Sequence, residues 1–330
     1  MTQATTNKAP AVISRQGGRP LVSFFLAGRN VEAFVEEAVK SMLGQTCDDF
    51  DLLFLDDAST DSTYDIVKGF QDPRLTVLRN EEWLGIPRSL NRLLEMLQGE
   101  FWAHMDADDI CLPTRLAAQV EAMRQDPDIS VCGCHYHMFT PNNEVYTVSL
   151  PLGNDNIRAS ILFFSPIPHP FATLRGDFFR RNNIKYAEKM KYALDYELWT
   201  RIAVRYPEAR FVNTAEPLGL YRRHRQQIST AKLAEQAQMA TRAQMQVFMA
   251  LGFKPTDKLL GAHRFIYHHD PVGSPAEMDE LFRWCAALKL ANTRQRLFPA
   301  RQFDEKIMRA LAEIVERYPQ FAAQYIEKTS

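Results

Sequence analysis

The residues best suited to chemistry in this chain are acids. Asp106, Asp108 and Asp109 fall within four positions, at the end of an apolar run from Phe101 to Met105 that only His104 interrupts. Carboxylates packed that closely repel one another unless a cation lies among them, and hard oxygen ligands suit Mg2+ or Mn2+. On an extended backbone Asp106 and Asp108 share a side. The alternative is an acidic loop that caps the helix beginning near Pro113. A second pair, Asp56-Asp57, closes the run Asp51 to Leu55, with Ser59 and Asp61 as rival helix caps. Asp195 lies beside Leu194, Leu198 and Trp199, which would desolvate it and raise its proton affinity. Glu197 sits about 200° further round a helix, so the two acids cannot face one group. Tyr221-Arg-Arg-His224 offers two guanidiniums, whose fork matches phosphate oxygens.

These groups need elements to hold them. Leu21 to Ala27, Asp51 to Leu55, Leu75 to Leu78 and Phe101 to Met105 read as buried strands. Helical spacing covers residues 31–43, with Asn30 as N-cap, then 62–70 and 86–97. That β-α alternation argues a parallel sheet with helices on its faces, and strand ends on one edge are where such sheets bind ligands. Beyond it come a helix at 114–124, strands at 129–136 and 144–149, a helix at 156–164, and an irregular Pro166-Ile-Pro-His-Pro170 loop. A strand follows at 171–175, a helix at 193–203, and two short strands at 211–213 and 218–221. From Thr230 the pattern is helical throughout, at 230–251, 276–291 and 303–327.

The 330 residues are 46% hydrophobic and 24% charged with formal net charge −1, so no global field favours nucleic acid. The five cysteines (Cys47, Cys111, Cys132, Cys134 and Cys285) are odd in number and scattered, which suggests free thiols in a reducing compartment. Residues 1–20 are polar and carry no signal-peptide pattern, and no apolar run approaches the roughly 20 residues of a membrane span.

Several stretches together resemble one family, the family 2 inverting glycosyltransferases of the GT-A fold. They are the strand ending at Asn30, Ser41-Met-Leu-Gly-Gln45, Phe50 to Asp61, Asn80 with Gly85 and Asn91, Gly99 to Asp109, Asp195 to Arg201, and Tyr221 to His224 with Gln227-Ile-Ser229. The resemblance spans roughly residues 20–229. It implies an α/β, Rossmann-like, mixed and mainly parallel sheet flanked by helices. It also implies a division into a disordered segment 1–19, a catalytic domain 20–229 and a helical C-terminal extension 230–330.

Family membership would make the chain a metal-dependent glycosyltransferase that takes a sugar from a nucleotide-sugar, UDP-sugar favoured, to a hydroxyl of a glycan or lipid-linked acceptor. Asp195 resembles the family's catalytic base. Asp108 and His224 match its metal ligands, with Mn2+ or Mg2+ as the ion. Ala27, Arg29, Asn30, Asp57, Arg88, Asp106, Ala107, Asp108 and Arg222 match its donor-binding positions, Asp57 accepting a hydrogen bond from the base. Asp109, His169 and Glu197 are assigned to the acceptor side or to loop orientation.

The chain departs from the family pattern in two places. Ala27-Gly-Arg-Asn30 stands where the family carries Pro-x-Tyr-Asn, so either Arg29 stacks on the base through its guanidinium plane or the base is held differently. Leu194-Asp195 replaces the usual Glu-Asp. Further expectations are a cytoplasmic protein, peripheral contact with the cytoplasmic membrane face, and a homodimer through the C-terminal helices. The competing readings are a non-catalytic sugar-nucleotide-binding relative and a nucleotidyltransferase.

Overall fold

The structure is a computed structural model that describes residues 18–140, 142, 144–224, 227, 232–254, 256–267 and 270–321. Most of the expected segment 1–19, and the expected boundary at 229/230, lie outside the described residues.

The first half alternates strand and helix: β1 (Val22–Gly28), α1 (Val35–Leu43), β2 (Phe50–Asp56), α2 (Thr63–Lys68), β3 (Leu75–Arg79), α3 (Ile86–Leu94) and β4 (Phe101–His104). Then follow β5 (Ile110–Cys111), α4 (Arg115–Gln125), β6 (Ile129–Phe139), β7 (Val145–Val148), α5 (Asn154–Ser160), β8 (Thr173–Arg175), α6 (Gly176–Arg181), α7 (Leu194–Arg205) and β9 (Arg210–Arg222). The chain continues through α8 (Leu233–Ala250), α9 (Asp257–Tyr267), α10 (Pro275–Gln295) and α11 (Ala300–Arg317).

The strands form one sheet in the order β3-β2-β1-β4-β8-β6-β9-β5, with β7 hydrogen-bonded to β6. The β1–β2, β2–β3, β1–β4 and β6–β9 ladders are parallel and contain most of the paired residues; the ladders to β5, β7 and β8 are antiparallel. The expected mixed, mainly parallel sheet with flanking helices and a helical C-terminal region is what the chain forms.

Strand β1 is buried at every residue because both its faces are covered. Phe24 and Leu26 point into the core made with Val35, Ala38, Val39 and Met42 of α1. Phe25 and Ala27 point the other way, toward Leu90, Leu93 and Leu94 of α3. That second core runs on without a break through Trp199 into Phe248, Trp284, Phe303 and Ile307 of the C-terminal helices. The C-terminal helices therefore share a core with the sheet. Among the described residues, no helix is long and apolar enough to cross a membrane.

Three details differ from the sequence reading. Asn30 does not cap α1: it has φ 54°, and its Oδ1 accepts from Thr60 N at 2.9 Å, so it joins the first two strand-end loops. The helix starts later, after Phe34, with no side-chain cap. The two strands expected at 211–213 and 218–221 are one strand, β9, which passes Pro217 through irregularities in its register with β6.

Candidate active site

Strands β1, β2 and β4 run parallel, so their C-terminal ends present three loops on one edge. Gly28 lets two of them close up, since a Cβ there would lie 3.1 Å from the Ala107 methyl. Asp57 N also donates to Gly28 O at 2.9 Å.

After His104 the chain leaves β4 and turns, so Asp106 and Asp108 do not share a side of an extended strand. The turn gathers them instead: one oxygen each from Asp106, Asp108 and Asp109 lie within 4.8 Å of one another. Buried Asp109 accepts from Arg222 N at 2.8 Å through Oδ1, and its Oδ2 has no partner. His224 Nε2 lies 2.9 Å from Asp108 Oδ2, while its buried Nδ1 is unpartnered. Burial, then Asp108, then Asp106 push the Asp109 carboxyl well above the usual range, against a smaller opposing effect of Arg222. Asp106 is 41% exposed at the cleft mouth, yet desolvation, then Asp108, then Asp195 raise it well above that range too. Clustered hard oxygens, two orphaned polar atoms and mutual repulsion make a donor set that fits a divalent cation such as Mg2+ or Mn2+.

Behind Asp106 stand two stacked imidazoles, His104 and His169, with ring centroids 3.8 Å apart. Each places a ring nitrogen 3.8 Å from Asp106 Oδ1. His104 Nδ1 is 3.0 Å from His169 O, and His169 Nε2 is 3.0 Å from Tyr186 Oη. Burial holds His169 down at about 4, and burial together with His169 holds His104 well below the ordinary value. Both rings are therefore neutral near pH 7. Desolvation, Asp106 and Asp195 push the Tyr186 phenol up.

Asp195 lies in the first turn of α7, where the helix dipole favours a carboxylate. The helix is fixed by Tyr196 Oη to Ile161 O at 2.7 Å and Trp199 Nε1 to Ile167 O at 3.3 Å. Ser165 Oγ donates to Asp195 Oδ2 at 3.1 Å. The electrostatic effect of Asp195 on Asp106, His169 and Tyr186 puts it at the same cleft. Glu197 is not brought there. It is buried, pairs with Arg201 Nε at 2.8 Å and accepts from Gln246 Nε2 at 3.1 Å, so it anchors α8 to α7.

At the other end, Asp57 is not a free acceptor. Its Oδ1 takes Asn80 Nδ2 at 2.7 Å and Leu84 N at 3.0 Å, and its Oδ2 takes Gly85 N at 2.8 Å. It therefore shapes the 80–85 loop, where Gly85 has φ 86°. Asp56 is also buried, and its Oδ1 is without a partner. The Arg29 guanidinium lies over the ring of Trp83, 5.0 Å from its centroid, and Trp83 is 65% exposed. Ala27 ends buried in β1 beside these loops. Arg88 pairs with Glu188 at 3.1 Å on the surface. Arg222 is engaged rather than free: Nε donates to Asp108 O at 2.9 Å, Nη2 pairs with Glu37, and the plane sits over Phe34 and Phe139. It braces the acidic turn.

The sequence reading missed Trp83, Tyr186, Ser165 and Arg115. Arg115 is fully buried and donates to His104 O at 2.7 Å and Pro170 O at 3.1 Å, holding the acidic turn's strand to the His169 loop. Its signal was Arg115 with Gln119, two long polar side chains on the inward face of α4. The signal for Trp83 was a lone aromatic in a polar loop.

A family model described as glycosyl transferase family 2 matches residues 23–187. The chain is 27% identical over 237 residues to an uncharacterized glycosyltransferase of Haemophilus influenzae, a match covering 67% of this chain and 71% of that protein. It is 24% identical over 240 residues to the UDP-Glc:alpha-D-GlcNAc-diphosphoundecaprenol beta-1,3-glucosyltransferase WfaP of Escherichia coli, covering 73% of this chain and 90% of WfaP. Among solved structures, residues 1–349 of S. aureus TarS in complex with UDP superpose with a TM-score of 0.56 at 17% identity, over 93% of this chain and 91% of that one. At that identity the likeness is one of fold.

Proposed function

The chain belongs to glycosyl transferase family 2 and is a glycosyltransferase, and on that premise we propose that it moves a sugar, with inversion, from a UDP-sugar to a hydroxyl of a glycan or lipid-linked acceptor. The observation that carries this reading is the cleft itself. Asp106, Asp108, Asp109 and His224 converge, and Asp195 lies close enough to Asp106 for its charge to act on that carboxyl. The UDP preference and the lipid-linked acceptor are supported by the likeness to WfaP, a glucosyltransferase that takes UDP-Glc and a diphosphoundecaprenol-linked sugar. All five cysteines are free, which supports a reducing, cytoplasmic setting. The catalytic unit is proposed to span 20–229, with 230–330 as its helical extension.

Asp108 and His224 would hold the cation, with Asp106 and Asp109 beside it; when bound, it neutralises the diphosphate leaving group. The donor base would lie by Arg29, Trp83 and the 80–85 loop that Asp57 shapes, with Asn30 and Ala27 forming the floor. Arg222 holds the acidic turn in place, and His169 lies beside Asp106, its Nδ1 3.8 Å from Asp106 Oδ1. Asp195 is the base: Ser165 fixes its Oδ2, and Oδ1 takes the proton of the acceptor hydroxyl. As that oxygen bonds to the anomeric carbon, the carbon–phosphate-oxygen bond breaks and its electron pair leaves on the diphosphate.

The test is nucleotide release with a panel of UDP-sugars, Mn2+ and acceptor extracts, on the parent and on Asp195→Asn. UDP release by the parent, abolished in the variant with UDP binding intact, supports the reading. Retained binding without turnover by the parent would assign a binding relative, and pyrophosphate as product would assign a nucleotidyltransferase.

A further inference from the structure

Bordering Asp195 and Ser165 lies a cavity of about 1030 Å³. That is at the upper end of the roughly 300–1,000 Å³ that small-molecule sites occupy. Its walls come from the start of α7 and the segment 163–165 after α5 on one side, and from α8, α9 and α11 on the other. None of Asp57, Asp106, Asp108 or His224 lines it, so it is not the donor cleft. Asp195 and Ser165 are on its wall, so the proposed base opens onto it.

Two properties define the occupant. Much of the lining is apolar, including Phe163, Phe164, Ala237, Ala240, Ile266 and Ala310. Against that wall stand two cations of one helix, Lys306 and Arg309. Arg309 pairs with Glu313 at 3.3 Å in an exposed position. Lys306 has no carboxylate within ion-pair distance among the described residues; its Nζ lies 5.7 Å from the Phe164 ring centroid. Half-buried beside Arg309, the ammonium is held below its ordinary value by desolvation and then by Arg309. A cation kept in that setting without an acid is complementary to an anion brought by a ligand.

We propose that this cavity is the acceptor site and takes a lipid-linked sugar phosphate: the sugar hydroxyl at Asp195, the phosphate at Lys306 and Arg309, and the lipid chain along Phe163, Phe164, Ile266 and Ala310. The proposal rests on the glycosyltransferase reading and adds a site and a substrate class to it. It also gives the C-terminal helices a task, since they supply both cations.

Calorimetric titration of the full chain with three probes tests it: decyl phosphate, decyl maltoside and glycerol phosphate, each below any micelle concentration. Decyl phosphate is expected to bind best. Lys306→Gln with Arg309→Gln should weaken decyl phosphate on the order of tenfold, while leaving decyl maltoside unchanged. Ala310→Trp, which fills the cavity from its half-buried wall, should exclude both decyl probes. UDP with Mn2+ is titrated into each variant and should bind as to the parent. Decyl phosphate binding no tighter than decyl maltoside, or unmoved by the charge variants or by Ala310→Trp, overturns the site. Glycerol phosphate binding as tightly as decyl phosphate overturns the lipid and assigns a polyol phosphate. Failure of UDP to bind the parent would strike the donor reading alone, because the decyl probes report on the cavity independently.

Discussion

His224 Nε2 lies 2.9 Å from Asp108 Oδ2, across 116 residues of sequence. The contact closes the cleft, because Arg222 N donates to Asp109 Oδ1 from the same segment. The end of β9 thus meets the acidic turn through both backbone and side chain. The turn has few local reasons to hold three carboxylates together, and the segment after β9 supplies them from a distance.

Asp108→Ala is expected to abolish the Mn2+ dependence of UDP binding. His224→Ala should weaken Mn2+ affinity by about 10–100-fold, the usual cost of losing a group that ligates or orients a metal ligand. Titrating Mn2+ into the UDP-saturated protein reads both effects. Unaltered Mn2+ affinity in the two variants would remove this pair from the metal site.

Trp83 is 65% exposed and stacked with Arg29, so its removal should leave the melting temperature where it was. Stacking of a base on an aromatic ring is worth about 1–3 kcal/mol. Trp83→Ala should therefore weaken UDP by about fivefold or more, and UDP should perturb indole fluorescence in the parent far more than in the variant. Equal UDP affinity in the two proteins would move the base elsewhere.

The parts that were legible in the sequence are those whose cause is local. Strand β1 is an apolar run broken only by the small Ser23 because both its faces are covered, and α3 repeats leucines at helical spacing. The acids at strand ends could be read because the β-α order itself places them on one edge. What could not be read depends on partners far along the chain. Asp57 looked free, but its acceptors are filled by a loop some 27 residues on. Glu197 reads as an acceptor-side acid, and Gln246 of α8 claims it. Arg222 looked like a phosphate clamp, and Glu37 of α1 holds it. Strand β5 has two residues and leaves no periodicity to detect.

Arg115 is the sharpest of these long-range cases and carries its own expectation. Its guanidinium is wholly buried and donates to the carbonyls of His104, Pro170 and Ala172, and to Gln119 Oε1. Arg115→Met fills much of the volume but strands the buried carbonyls of His104 and Pro170, each worth about 1–3 kcal/mol, while Ala172 O keeps its bond from His104 N. The variant should lose on the order of 3 kcal/mol or more in urea unfolding. Because the carbonyls belong to β4 and the His169 loop, Asp106 should be mispositioned as well. A loss below about 1 kcal/mol would make Arg115 an ordinary helix residue.

The stacked pair behind Asp106 predicts acid sensitivity of a definite sign. His169 is held down from 6.5 to about 4, chiefly by burial, with Asp195 opposing, and His104 is also held well below its ordinary value. Between those values the unfolded chain binds a proton that the folded chain refuses, so stability contributed by the neutral ring is full above about 6.5 and is lost as pH falls toward 4. Asp106 and Asp109 are shifted upward and work in the opposite sense, which makes the parent's total slope a poor readout. The difference between the parent and His169→Gln isolates the ring, since glutamine can still face Tyr186 Oη without titrating. Urea unfolding at pH 7.5, 6.0 and 5.0 should show the parent losing stability relative to the variant as pH falls, by up to about 1.4 kcal/mol per pH unit. Parallel curves for the two proteins would mean that His169 is as easily protonated in the fold as out of it.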